Sequence, residues 1–328
     1  MKKICLATFS IFVALSFPAH AAQTAEEILK AVVQVRAVIP KDARTASTLG
    51  TEREGSGVVI DKKGYILTIG YLVTEAENIE VIGLEEKPVT ATFVGYDHST
   101  GFGLIKTEKT LNVVPMKIGK SSEVKEGDPI LVAGYGGADA VLLARVISRK
   151  EFVGYWEYLL EDAIYTAPAY ANFGGAALIG QDGKLLGIGS LFTQMMIPGL
   201  ASIPSNVFVP IDLLGPILSD LKTLGRSSKA PRPWLGINAE EAHGRVFITR
   251  VTPESPAEKA GIKPGDLVLT VNKNPVSGLA DFYRKVWALG KPGVEVPLGV
   301  LQGAEMHGIV VRSGDRYEFL KLTPEKKI

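Results

Sequence analysis

Residues 55–68 read Gly55-Ser56-Gly57-Val58-Val59-Ile60-Asp61-Lys62-Lys63-Gly64-Tyr65-Ile66-Leu67-Thr68. Two short apolar runs, Gly57 to Ile60 and Tyr65 to Thr68, flank four turn-forming residues ending in glycine, which predicts a β-hairpin. The same texture extends outward. From Gly57 to about Ile188 the apolar residues come in brief β-branched runs bounded by Gly, Asp, Lys and Pro, without a long 3.6-residue period, so the body is expected to be all-β. Phe93-Val94-Gly95, Leu104-Ile105, Ile130 to Ala133 and Leu185 to Ile188 are expected as further buried strands. Two amphipathic stretches, Thr24 to Val35 and Ile211 to Leu224, are expected to be helices framing it; Leu213, Leu214, Ile217, Leu218 and Leu221 share one face of the second.

Residues 226–233 (Arg-Ser-Ser-Lys-Ala-Pro-Arg-Pro) are poor in large apolar side chains and rich in turn formers, which marks a linker. A second unit is expected over 234–316, with strands at Val246 to Val251 and Leu267 to Val271 and a helix from Leu279 to Leu289. Two closing strands follow, around 294–301 and 307–311, and residues 317–328 form a tail.

At the other end, Lys2 and Lys3 precede an apolar run from Ile11 to Phe17, and Ala19-His20-Ala21 offers small residues at the two positions a signal peptidase reads. Residues 1–21 are therefore expected to be a signal peptide, with residues 22–225 forming the first mature domain. The run is too short to span a bilayer, so no membrane span is expected after cleavage. The single cysteine, Cys5, lies in this segment, leaving no disulfide or thiol in the mature chain. Of 36 basic and 35 acidic residues, only Lys2 and Lys3 leave with the leader. The resulting balance of 34 against 35, without a basic cluster, gives no footprint for nucleic acid. His98, His243 and His307 are too scattered to be metal ligands, and Gly134-Tyr135-Gly136-Gly137 follows a strand without opening a helix, so it reads as a turn. Neither a metal nor a cofactor is expected.

Several stretches resemble the high-temperature-requirement (HtrA, or Deg-type) periplasmic proteases. They are Gly55 to Asp61 with Gly64 to Thr68, Val94-Gly95-Tyr96-Asp97, Gly127-Asp128-Pro129-Ile130-Leu131-Val132 and Ile203-Pro204-Ser205-Asn206. The resemblance implies a mainly β chain, a chymotrypsin-like double β-barrel followed by an α+β PDZ domain, in a periplasmic or secreted protein.

The family's catalytic positions are changed. Where the family has the histidine of Asn-x-His-Val-Val, this chain has Tyr71 in Ile69-Gly70-Tyr71-Leu72-Val73. A phenol with a pKa near ~10 is a poor base beside an imidazole near ~6.5. Gly101, in Asp97-His98-Ser99-Thr100-Gly101, stands where the resemblance places the carboxylate that orients the histidine, and glycine has no side chain for that role. Phe173, in Ala171-Asn172-Phe173-Gly174-Gly175, stands at the serine position. That loop is two residues shorter than the family pattern, which implies displaced oxyanion-hole amides. In the first domain only His98 remains as a base, and its place in a connection suggests an exposed surface residue. The aromatics Tyr155, Trp156, Tyr158, Tyr165, Tyr170 and Phe173 leave two readings of the old cleft: filled by Tyr71 and Phe173, which is preferred, or kept as an apolar groove.

The PDZ resemblance is better preserved. Trp234-Leu235-Gly236-Ile237 matches the loop whose amides capture a peptide carboxylate, with Gly236 permitting close backbone approach and Ile237 starting the accepting strand. Leu279, Phe282, Tyr283 and Val286 would form the apolar wall opposite, or simply be core. The expected function is that of a catalytically inactive protein that binds peptide C-termini or unfolded and partner proteins, in a chaperone-like, adaptor or regulatory role. The alternatives are a subunit of an oligomer with an active relative, and an endopeptidase with a rearranged site. The resemblance also implies trimers built through the N-terminal segment, although Gln23 to Gln34 lacks aromatic residues.

Overall fold

The computed structural model describes residues 23–84, 87–196, 202–320 and 322; the expected signal peptide and Cys5 lie outside them. Six strands form a first closed barrel: β1 (Val32–Val38), β2 (Glu52–Val59), β3 (Tyr65–Ile69), β4 (Asn78–Ile82), β5 (Val89–Tyr96) and β6 (Phe102–Thr107), in the order β1-β2-β3-β6-β5-β4. The hairpin anticipated at residues 57–68 pairs Val58 with Leu67 and Val59 with Ile66. A second closed barrel contains β7 (Pro129–Ala133), β8 (Val141–Gly154), β9 (Tyr158–Ala167), β10 (Ala177–Ile179), β11 (Leu185–Met196) and β12 (Ser202–Pro210), ordered β10-β11-β12-β9-β8-β7. Closure removes the exposed sheet edges on which unwanted pairing would begin.

The second unit is a sheet ordered β13 (Ile237–Ala242), β14 (Arg245–Val251), β15 (Leu267–Val271), β17 (Glu295–Gln302) and β18 (Glu305–Arg312), with β16 (Asn274–Pro275) paired to β15. Helices are short: α1 (Ala25–Lys30), α2 (Ala46–Leu49), α3 (Leu218–Leu224), α4 (Pro256–Lys259), α5 (Leu279–Trp287) and α6 (Arg316–Phe319).

Both framing helices are shorter than expected. The first stops at Lys30, and Val32–Val38 is strand β1, paired with β2 on one side and β4 on the other. Val32, Val33 and Val35 are β-branched, and the two-sided ladder outweighs the helical spacing that links them to Ile28 and Leu29. The second begins as a single 3₁₀ turn, Ile211–Leu213, before α3.

Phe102, Ile66, Leu67, Leu104 and Ile105 fill the first barrel, while Phe208, Ile164 and Leu178 are among those filling the second. Burial of each such side chain contributes roughly 1.5–3 kcal/mol. Core packing also runs between the barrels, since Leu72 and Val73 of the first belong to one buried cluster with Tyr158 and Val207 of the second. The PDZ sheet keeps a separate core that includes Leu279, Phe282, Tyr283 and Val286.

Candidate functional site

Tyr71 lies on a 3₁₀ turn, Gly70–Leu72, directly after β3. The buried guanidinium of Arg53 clamps that turn by donating to the Tyr71 and Thr74 carbonyls at 2.6 and 3.1 Å. The Tyr71 hydroxyl crosses to the second barrel and donates to Ser190 O at 3.0 Å. Burial pushes its phenol pKa up, so the group stays neutral and acts as a donor.

Gly101 has φ +83°, and its carbonyl accepts the Gly70 amide at 2.7 Å. A Cβ at this position would stand 3.1 Å from the Tyr158 hydroxyl. The glycine thus answers a backbone need at this position. Phe173 is half-buried and belongs to none of the buried clusters. The preferred reading of the cleft is thereby corrected in part: Tyr71 packs against the core there, whereas Phe173 lies outside it. Loop amides beside it are committed, Gly175 to Gly189 O at 2.9 Å and Ala176 to Phe173 O at 3.0 Å, while Gly174 O accepts the Ser56 amide at 2.8 Å.

His98 is not the exposed residue expected. It is half-buried where the barrels meet the chain beyond the PDZ sheet: its ring nitrogens face Tyr96 Oη (3.1 Å) and the Arg316 guanidinium (3.4 Å), and its amide donates to Tyr317 Oη (2.8 Å). Burial, reinforced by Arg316 and Arg232, holds its pKa well below the usual histidine range.

The expected carboxylate loop already holds a carboxylate. Glu157, only 3% exposed, accepts the Leu235 amide on Oε1 at 2.8 Å and the Gly236 and Ile237 amides on Oε2 at 2.8 and 3.2 Å. Gly236 has φ +85°, which turns these three amides toward one point. The close approach it permits is also to Ser255, whose Cβ would lie 2.2 Å from a Cβ at 236. Beside the loop, the Ala239 amide of β13 donates to Tyr155 O at 2.8 Å. From α5, the Tyr283 hydroxyl donates to Gly154 O at 3.0 Å and accepts the Glu157 amide at 3.1 Å.

Leu235, Gly236 and Ile237 thus converge on one carboxylate, whereas the Trp234 amide donates to Gly314 O at 3.0 Å and its ring packs on Phe319. Leu279, Phe282, Tyr283 and Val286 are all buried core residues, and Val153 of β8 packs against their cluster. Of the aromatics expected around the old cleft, Tyr155, Trp156 and Tyr158 belong to the hairpin carrying Glu157. Trp156 is stacked on Tyr158 at 5.5 Å, and Tyr158 donates to Thr100 O at 2.6 Å. Tyr165 and Tyr170 bond elsewhere, to Glu151 O and Ala140 O. Sequence reasoning missed Glu157, Ala239 and Arg284, whose guanidinium pairs with Glu151 and Glu161 on the hairpin; the only signal was one acid among the aromatics of Tyr155-Trp156-Glu157-Tyr158.

Comparison with known proteins agrees with this architecture. The trypsin-like peptidase domain family matches residues 55–188 and the PDZ domain family residues 233–312. A probable periplasmic DegP-like serine endoprotease of Buchnera aphidicola is 28% identical over 271 residues, covering 78% of this chain and 57% of that protein. The periplasmic pH-dependent serine endoprotease DegQ of Escherichia coli is 26% identical over 267 residues, covering 76% and 57%. The chain therefore spans less than two thirds of these relatives. Among solved structures, the HtrA-type protease AlgW with a decapeptide shares the fold at TM-score 0.52 and 22% identity, covering 89% of this chain and 98% of that one. The chain is a trypsin-like peptidase domain followed by a PDZ domain, homologous to the DegP- and DegQ-type HtrA proteases.

Proposed function

We propose that this chain is a periplasmic, non-catalytic HtrA homologue that binds the carboxylate ends of peptides through its PDZ domain, as an adaptor or chaperone-like factor. The observation that carries the reading is the convergence of the Leu235, Gly236 and Ile237 amides on one carboxylate beside the edge of β13. Three aligned amides form a compact anion site, and the β13 edge beside them, where Ala239 donates to Tyr155 O, is the kind of edge an extended peptide joins. Periplasmic relatives support the location.

The loss of chemistry is supported residue by residue. Tyr71 is a neutral phenol already used as a donor, Gly101 supplies no carboxylate, Phe173 supplies no nucleophile, and neighbouring loop amides are engaged internally. Acyl transfer needs a nucleophile, a base and free donors at the developing oxyanion. Two measurements test the reading on the full chain. Calorimetry should detect a decapeptide ending in a free valine carboxylate but not its amide. An active-site phosphonate should label no serine. Equal binding of both peptides would overturn carboxylate capture, and serine labelling abolished by His98→Ala would overturn the non-catalytic assignment.

A further inference from the structure

The β8–β9 hairpin of the second barrel ends in Tyr155-Trp156-Glu157, and this tip is inserted between β13 and α5 of the PDZ domain. Tyr155 O accepts the Ala239 amide as the backbone of an added strand would, and two residues later the Glu157 carboxylate occupies the amide loop. The side chain of Glu157 thus stands in for the carboxylate of a peptide's last residue, with Tyr155 two places before it. Tyr283 closes over the tip from α5, and the next residue, Arg284, pairs with Glu151 and Glu161 on the two strands of the hairpin.

Two features have no benefit within the barrel itself. Glu157 is a carboxylate removed from water, and its φ of +59° is unfavourable for a residue with a side chain. Both are compensated in the groove, where the carboxylate finds three donors. The seam around the hairpin is incompletely filled, with a cavity of about 410 Å³ lined in part by His98, Arg149, Glu161, Arg232 and Arg316. Docking of the two units rests on the hairpin tip, on the α6 contacts of Arg316 and Tyr317, and on Arg44, which pairs with Glu254 and lies over Phe319.

We propose that the Tyr155–Glu157 turn is a built-in ligand of the PDZ groove, so that a peptide with a free C-terminal carboxylate binds only by displacing it and releasing the PDZ domain from the barrels. This rests on the carboxylate-binding reading above and adds its regulation. A tethered competitor acts at the millimolar effective concentration typical of short connections, so it suppresses ligands of modest affinity and yields to stronger or multivalent ones.

The test uses the full chain as wild type, Glu157→Ala and Arg284→Ala, with the valine-ended decapeptide as free acid and as amide. Glu157→Ala is expected to bind the free acid at least tenfold more tightly than wild type. Arg284→Ala, which loosens the hairpin without touching the amide loop, should fall between them and guards against misfolding of the first variant. Small-angle scattering should show the wild-type particle expanding as the free acid saturates it. Equal affinity in all three proteins would overturn the built-in ligand while leaving peptide binding intact. Failure of all three to bind the free acid would overturn the carboxylate reading itself, and the gate with it.

Discussion

The Glu157 carboxylate meets the Gly236 amide at 2.8 Å across 79 residues of sequence. That contact joins the two units of the chain, since Glu157 belongs to the barrel hairpin and Gly236 to the PDZ loop. All three tryptophans stand around it, with Trp156 on the tip, Trp234 in the loop and Trp287 on α5. Intrinsic fluorescence is therefore a direct reporter of docking.

Docking should depend on pH through two groups of opposite sign. Burial pushes Glu157 up to about 7, against the lowering effect of its three amides and Arg316 and beside the Tyr283 hydroxyl. A raised carboxyl pKa means that docking takes up a proton, so this contribution is full below about 4.5 and is lost as pH rises through 7, a change of ~3 kcal/mol at most. His98, facing Tyr96, Tyr317, Tyr158, Arg316 and Arg232, is held neutral, so its contribution is present above about 6.5 and is lost as pH falls. Between about pH 4.5 and 7, His98→Asn should dock more firmly as pH falls, and Glu157→Gln should dock more firmly as it rises. The wild-type profile should lie between those of the two single variants, because the two contributions oppose each other. Tryptophan fluorescence against pH checks this; identical profiles for the two variants would contradict it.

Restoring the residues of the family's triad should not restore proteolysis. Gly101→Asp places a side chain at φ +83° and 3.1 Å from the Tyr158 hydroxyl, which should cost ~1–3 kcal/mol in stability. Added to Tyr71→His and Phe173→Ser, it should give a less stable protein that does not cleave casein. Cleavage by the triple variant, absent from wild type, would show that the loop backbone can still form an oxyanion hole.

Tyr71→Phe should lower stability by ~1 kcal/mol, read as a lower urea midpoint at unchanged slope. The substitution keeps the ring but leaves Ser190 O without its hydroxyl donor. An unchanged midpoint would mean that water replaces the hydroxyl.

Gly236→Val should disturb the PDZ fold as well as its ligand site. A β-branched residue at φ +85° is strained by ~1–3 kcal/mol, and its Cβ would collide with Ser255. Thermal unfolding should show a lowered transition; an unchanged one would mean that the 235–237 loop can rearrange.

The strands were legible where β-branched runs sit between turn formers, as in Gly57 to Thr68 and Ile130 to Ala133. Val32–Val38 was not, because its partners β2 and β4 are distant in sequence while helical spacing is local. The carboxylate loop was readable because backbone amides and one glycine make it, so its chemistry survives in four consecutive residues. Glu157 was unreadable for the opposite reason. An acid in an aromatic turn means nothing until folding brings it to a loop far along the chain, and the burial of His98 likewise depends on residues 316 and 317.

Native mass spectrometry of the full chain incubated with the valine-ended decapeptide tests peptide binding and the absence of cleavage together. The spectrum should show one intact peptide per chain for the free acid, none for the amide, and no truncated products after prolonged incubation. Truncated peptide whose formation is abolished by His98→Ala, or equal complexes with acid and amide, would contradict a non-catalytic reader of peptide carboxylates.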